Sequence, residues 1–323
     1  MRTCWSAVCS VILVTACQWP MTERLNNPSD KNSSSYSVSQ VGAAGFSTGP
    51  ALYTSLVFSG NTPYVAYQDG ANSGKASVML YNGTSWVQVG VAGFSAGPAV
   101  YTSLAFSGNT PYVAYQDGAN GSKASVMMYN GTGWVQVGAA GFSAGSAVYT
   151  SLAFSGNTPY VAYQDVVNSN KASVMMYDGT SWVQVGVAGF TAGQASYTCL
   201  SFNGSTPYVA YTDSGNNGYR ASVMMYNGSS WLPVGATGFS AGTAIYTSLG
   251  FEGGTPYVAY SDYNNGYKAS VMKYNGTSWV QVGAVGFSAG MALYTSLAFS
   301  GNIPYVAYQD GANSNKVSVM ALH

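Results

Sequence analysis

Charge is the scarcest property of this chain. Lys and Arg number 10 and Asp and Glu 10 in 323 residues, so charged side chains make up 6%, against roughly 25% in an ordinary soluble chain. The even balance leaves no basic field to hold a phosphate backbone, which argues against a nucleic-acid partner. Histidine occurs once, as the last residue, His323. A Ser-His-Asp triad, a His-rich metal site and a histidine general base are thereby excluded, and no cofactor or metal is expected. Long apolar runs are missing too. Although 47% of residues are hydrophobic, no stretch beyond the N-terminus approaches the ~18–20 unbroken apolar residues of a spanning helix.

Cysteine is also sparse, and its placement is informative. Arg2 precedes a mostly apolar run from Cys4 to Val14, too short to cross a bilayer but suited to the core of an export signal. The run ends in Val14-Thr15-Ala16-Cys17. This segment resembles the lipobox of bacterial lipoproteins, which implies cleavage before Cys17 and acylation of that residue. Cys4 and Cys9 would leave with the signal (1–16), and Cys199 would stand alone in the mature chain, without an intramolecular disulfide. Residues 17–35 are polar, cannot bury a core, and read as a lipidated cysteine on a flexible tether.

What the chain has in abundance is repetition. Trp86, Trp134, Trp182, Trp231 and Trp279 recur every 48 or 49 residues, each opening a Trp-Val-Gln-Val-Gly segment or a close variant. A Pro-Tyr-Val-Ala-Tyr segment begins at Pro63, Pro111, Pro159, Pro207, Pro256 and Pro304. Such a period marks a propeller, solenoid or repeat array. Within the second copy four strands are legible: Tyr101 to Phe106, Pro111 to Gln116, Ala124 to Tyr129 and Trp134 to Gly138. The Asn130-Gly131 pair reads as a two-residue hairpin turn between the last two.

Four antiparallel strands per repeat make one propeller blade, so the expected fold is an all-β, six-bladed β-propeller over residues 36–323. Ser37 to Gly42 matches a fourth strand, with Val38 where Trp86 stands one repeat later. His323 falls just after a third strand. A fourth strand supplied by the N-terminus is therefore expected to complete the last blade and close the ring, removing open sheet edges.

On these residues the chain resembles the extracytoplasmic β-propeller repeat proteins of bacteria. The hairpin from Met128 to Trp134 is similar to the Tyr-turn-Trp unit of kelch repeats and lies where sialidase-like propellers carry an Asp-box. The kelch Gly-Gly pair is absent, however, and Tyr81 or Tyr129 stands at the Asp-box aspartate position. The resemblance implies architecture, a single ring acting as a monomer, and no particular activity.

Six of the ten acids close the second strand: Asp69, Asp117, Asp165, Asp213, Asp262 and Asp310. Each is followed six or seven residues later by Lys75, Lys123, Lys171, Arg220, Lys268 or Lys316. The favoured reading is a loop clamp in which Asp caps the turn and pairs with the base; the alternative is a ring of polar ligand sites. Phe46, Phe94, Phe142, Phe190, Phe239 and Phe287 recur in the loop between blades and are expected to pack there, on the same face as the Asp-Lys loops. Copies four and five depart most, adding Tyr219, Arg220, Tyr263 and Tyr267 to that face. These four are the candidate residues for a glycan or protein ligand, by stacking and hydrogen bonding. A glycosidase needs two carboxylates in unlike environments, which symmetry-related Asp residues do not offer. The chain is therefore read as a non-enzymatic binding module, lipid-anchored on the bacterial envelope. A structural or display propeller without a ligand is the alternative, and a polysaccharide-acting enzyme ranks below both.

Cys17→Ser should release the protein from the membrane fraction or leave it unprocessed, as detergent fractionation and N-terminal mass analysis would show. A mutant processed and anchored like wild type refutes the lipoprotein reading.

Overall fold

The computed structural model describes residues 41–215 and 218–322. Six antiparallel sheets follow one another, at 51–88, 99–136, 147–184, 195–233, 244–282 and 292–321. The first five have four strands in simple sequential order, and the sixth has three among the described residues. This is a six-bladed β-propeller, as the repeat predicts. The only helices described are single 3-10 turns, and none is long and apolar enough to cross a membrane.

Blade 2 shows how the repeat folds. Its strands are Ala99–Ser107, Thr110–Asp117, Lys123–Tyr129 and Trp134–Gln136. Gly108 and Asn109 form the tight two-residue turn, between the paired residues Ser107 and Thr110. The Asn130 turn departs from expectation: Tyr129 pairs with Trp134, so four residues form the loop rather than two. The cause is the Asn130 side chain, whose Oδ1 accepts from the backbone N–H of Thr132 (3.0 Å) and Gly133 (2.9 Å). A carbonyl that satisfies two backbone donors stabilises the longer turn. The fourth strand is also shorter than expected, although Val137 N still donates to Val126 O at 2.9 Å.

Neighbouring blades are joined twice. On the inner strands, the hydroxyl of Thr102 donates to the carbonyl of Tyr53 in the preceding blade, and Leu104 N donates to Ser55 Oγ (2.9 Å). Both links recur around the array, with Cys199 Sγ replacing the serine oxygen opposite Leu249 N. Cys199 is disulfide-bonded, where the sequence reading expects a lone thiol. To turn its carbonyl toward the next blade, each inner strand bulges at a tyrosine: Tyr53, Tyr101, Tyr149, Tyr197, Tyr246 and Tyr294 all have φ of 50–57°. A non-glycine residue there costs of order 1 kcal/mol, offset by the inter-blade hydrogen bond.

Toward the rim, Trp182 of blade 3 donates from Nε1 to Val137 O of blade 2 at 2.8 Å and stacks on Phe142 at 4.1 Å. The arrangement recurs at Trp86, Trp134, Trp231 and Trp279, with hydrogen bonds of 2.7–2.9 Å and stacking distances of 4.0–4.2 Å. Here the glycine of Trp-Val-Gln-Val-Gly has its reason. At Gly138 (φ +66°) a Cβ would stand 2.8 Å from Tyr177 Cε2 and 2.9 Å from Trp182 Cδ1.

Val41 and Phe46 serve Trp86 as Val89 and Phe94 serve Trp134. Residues 41–46 therefore repeat the end of a fourth strand. The closing strand expected around Val38 lies outside the described residues, as do the export signal, Cys17 and the tether. Blades 6 and 1 differ from the others: Thr54 is exposed where Thr102 is fully buried, and Val319 is 48% exposed where Val271 is fully buried.

Trp182→Ala removes the stack, the hydrogen bond and most of a buried indole. The expected loss is about 3–5 kcal/mol, read as a lowered denaturation midpoint, with Trp182→Phe losing less. An alanine variant as stable as wild type would contradict this account of the blade interface.

Candidate functional site

The loop after each second strand and the loop between blades lie on one face, as expected. Gly118 N donates to Pro98 O at 2.8 Å, and a Cβ on Gly141 would meet Asn120 Cβ at 2.9 Å. Asp117 is 1% exposed. Its Oδ1 accepts from Ala119 N (3.0 Å), and its Oδ2 accepts from Asn120 Nδ2 (2.9 Å) and Ser125 Oγ (2.7 Å). Ser125 Oγ in turn accepts from Gly141 N at 2.8 Å, so one carboxylate ties together the turn, the third strand and the inter-blade loop. Copies one and six repeat the full set on Asp69 and Asp310. In copies three and five, Asp165 and Asp262 keep the Asn and Ser bonds, while Oδ1 is buried without a partner.

The clamp reading holds for the cap and fails for the base. Among the described residues Asp69, Asp117, Asp165, Asp262 and Asp310 make no ion pair with their lysines. The neutral hydrogen bonds already surround each carboxylate, and the lysines lie at the more exposed strand starts. Each recurring Phe from Phe46 to Phe239 stacks on a Trp of the next blade, so the inter-blade packing role is the one observed. With Asp buried and these Phe engaged, the Asp-Lys loops offer no open ring of ligand sites.

The four candidate residues fall into two groups. Tyr263 (53% exposed) and half-buried Tyr267 meet edge to face at 5.0 Å and 87° in blade 5. Tyr219 (56% exposed) and exposed Arg220 belong to blade 4. No ring contact or hydrogen bond joins the two groups among the described residues. Tyr219 and Tyr267 have φ of 63° and 61°, at a loop position where other copies have Gly74, Ser122, Asn170 and Asn315. Those are residues that adopt positive φ more readily.

The opposite face, with the tight turns, holds a feature the sequence reading missed. Grooves run between blades 1 and 2, 2 and 3, and 3 and 4, with volumes of about 580, 710 and 760 Å³. In the second, blade 2 contributes Tyr112, Met128 and Gln136, and blade 3 contributes Asn157, Thr158, Tyr160 and the turn at Asp178. Tyr112 and Met128 are cross-strand partners on one sheet face, and the Tyr112 ring stands edge-on to Phe154 at 5.0 Å. No charged side chain lines the first or third groove. In the second, the Asp178 carboxyl is held below its ordinary range by the N–H groups of Ser181 and Thr180. The available clue was the second tyrosine type of Pro-Tyr-Val-Ala-Tyr. Tyr115 is 1% exposed, whereas Tyr112, on the other strand face, stays half-open.

Among the described residues, no group of three His, Cys, Asp or Glu side chains could hold a metal ion. No family model and no curated protein matches the chain. Solved structures do. A SapL1 lectin in complex with alpha methyl fucoside is 17% identical, with a TM-score of 0.59 over 86% of this chain and 94% of that one. An Aleuria aurantia lectin bound to a fucosylated GlcNAc is 16% identical, with a TM-score of 0.51 over 81% and 91%. An ulvan lyase of polysaccharide lyase family PL25 is 11% identical, with a TM-score of 0.55 over 83% and 79%. At these identities the likeness establishes the fold alone. Because it spans lectins and an enzyme, it does not assign the chain to either class.

The phenols behind the clamps predict an alkaline limit to stability. Burial, and then the neighbouring Asp69 carboxylate, push Tyr67 up to about 12. Tyr115, Tyr163, Tyr211 and Tyr260 are raised for the same two reasons. The folded state then keeps protons that the unfolded chain loses near pH ~10. Stability from these groups is present below that pH and lost as pH rises toward the folded values. Melting temperature should fall above pH ~10, with a fraction of the phenols ionising only as the β signal is lost. If all 27 tyrosines ionise near pH ~10 in an intact fold, the burial argument fails.

Proposed function

We propose that this protein is a multivalent glycan-binding module whose sites are the inter-blade grooves of the tight-turn face. The observation that carries it is the repetition of one groove, lined by a single charged residue, Asp178, across three copies. A tyrosine and a methionine or leucine form the wall, and asparagine, serine, threonine or glutamine side chains provide the rim. Aromatic and thioether surfaces suit the apolar face of a sugar ring, while amides and hydroxyls suit its hydroxyl groups. Two of the three grooves are lined by no charged side chain, which favours a polyhydroxylated ligand over a charged peptide. Near-identical blades also suit a ligand that repeats, since several weak sites on one rigid scaffold gain by avidity. The fold's likeness to two lectins solved with sugars supports this reading. Export and a lipid anchor at Cys17 would place the module on a bacterial envelope, facing such polymers.

A second reading is supported by the Tyr263–Tyr267 contact on the opposite face. Two part-exposed rings at right angles could clasp one ligand and break the pseudo-six-fold symmetry, with Tyr219 and Arg220 nearby in sequence order.

Glycan-array screening of the full-length protein, followed by calorimetry on a hit, separates these readings. The groove reading expects more than one ligand per chain. Tyr160→Ala, which alters two grooves, should lower that number or weaken binding at least fivefold. Tyr263→Ala with Tyr267→Ala should leave binding unchanged. One ligand per chain, lost in the double mutant, moves the site to the loops. Silence across the array overturns glycan recognition altogether.

A further inference from the structure

The grooves contain no cation, yet one copy of the repeat brings one to the equivalent position. Lys273 occupies the third-strand position held by Leu80, Met128, Met176 and Met225 in blades 1 to 4. Each of those four residues lines a groove. Seven Lys and Arg residues lie in the described region, and six of them open third strands on the loop-rich face. Lys273 is the remaining one, at the far end of its strand. It is the one cation the described residues place on the tight-turn face.

Its surroundings are those of a binding group rather than a solvated surface lysine. Lys273 is half-buried, and its Nζ lies 5.8 Å from the centroid of the Tyr257 ring, its cross-strand partner. The equivalent rings of Tyr64, Tyr112, Tyr160 and Tyr208 are half-open, whereas Tyr257 is 7% exposed. The lysine has thus replaced stacking surface with charge. The Tyr257 ring contacts Phe299 of blade 6 at 5.1 Å, which puts the pair on the wall that blade 5 turns toward blade 6. No carboxylate neutralises the cation: Glu252, the acid at the end of the blade 5 first strand, makes no ion pair with it, and Asn275 stands at the turn where blade 3 has Asp178. A cation–π contact holds the ammonium in place but leaves its hydrogen-bond donors unused.

We infer that Lys273, on the wall that blade 5 turns toward blade 6, forms an acidic-sugar subsite, which takes a carboxylate or sulfate substituent of a glycan. This rests on the groove reading above and adds a specificity to it: neutral units are held by the grooves and an acidic unit by this subsite. An acidic heteropolymer would then dock in a preferred rotational register on an otherwise nearly symmetric ring.

Matched probes that differ only in charge test the inference on the full-length protein. Oligogalacturonate is compared with its methyl ester, and dextran sulfate with dextran. The acidic member of at least one pair should bind more tightly, with a preference that falls as salt is raised. Whichever pair shows the preference identifies the anion as carboxylate or sulfate. Lys273→Met, which restores the residue of blades 2 to 4, should cut acidic-probe binding at least fivefold and leave the neutral probe unaffected. Leu80→Lys, in a groove lined by no acid, should add acidic binding. Equal acidic binding by wild type and Lys273→Met overturns the inference, while neutral-probe binding shows that the groove reading survives. Failure of wild type to bind either member of both pairs or any array glycan defeats both.

Discussion

Blades 2 to 5 of this protein each depend on the one before for the partner of their tryptophan, and Trp86 of blade 1 finds the same partner at Val41. The indole N–H donates to a backbone carbonyl of the preceding sheet, and the ring lies flat on a phenylalanine from the intervening loop. A buried indole without that carbonyl would leave a polar group unsatisfied in an apolar wedge. The carbonyl lies within reach because the next residue is a glycine, over which the ring passes. Trp, Phe and Gly thus form a single contact spread over two repeats. No one of them can drift without loss at a neighbour, which is a structural reason for the near-identity of the copies.

The inner strands apply the same logic under strain. Six tyrosines take a left-handed backbone, the carbonyls of five meet the threonine hydroxyls of the next blade, and the rings follow one another at 4.5–5.0 Å. A buried carboxylate per repeat locks the loop-rich face by gathering two donors or more. That face is consequently rigid and largely spoken for. Only where copies four and five place aromatic rings in the loop does it present new surface.

The tight-turn face has the opposite character. Its turns are held by their own asparagine side chains, and the sheets diverge enough to leave grooves between them. Groove walls come from positions outside the inter-blade hydrogen bonds, although each groove tyrosine packs edge-on against a phenylalanine of the next blade. Methionine, leucine and lysine all occur at one such position. Specificity can therefore change there without disturbing the wedge packing that carries stability.

Much of this architecture was legible in the residues. A 48-residue period, a Trp and a Pro-Tyr pair in fixed places, and turn residues between alternating segments determine four-stranded blades and their number, because local pattern and turn chemistry act over short distances. The clamping Asp and the packing Phe were legible for the same reason. The two-residue Asn130 turn was wrong because a side-chain carbonyl, not the backbone dipeptide, selects the loop length. The expected Asp–Lys pairing was wrong because a serine eight residues away, an asparagine and a backbone N–H of the turn reach the carboxylate first. The grooves were invisible in sequence. Tyr112 and Tyr115 look alike in a one-dimensional repeat, and only the register of the sheet and the wedge angle between blades decide which is entombed and which lines an opening. Lys273 reads as one more surface lysine until the fold sets it on Tyr257, away from every carboxylate.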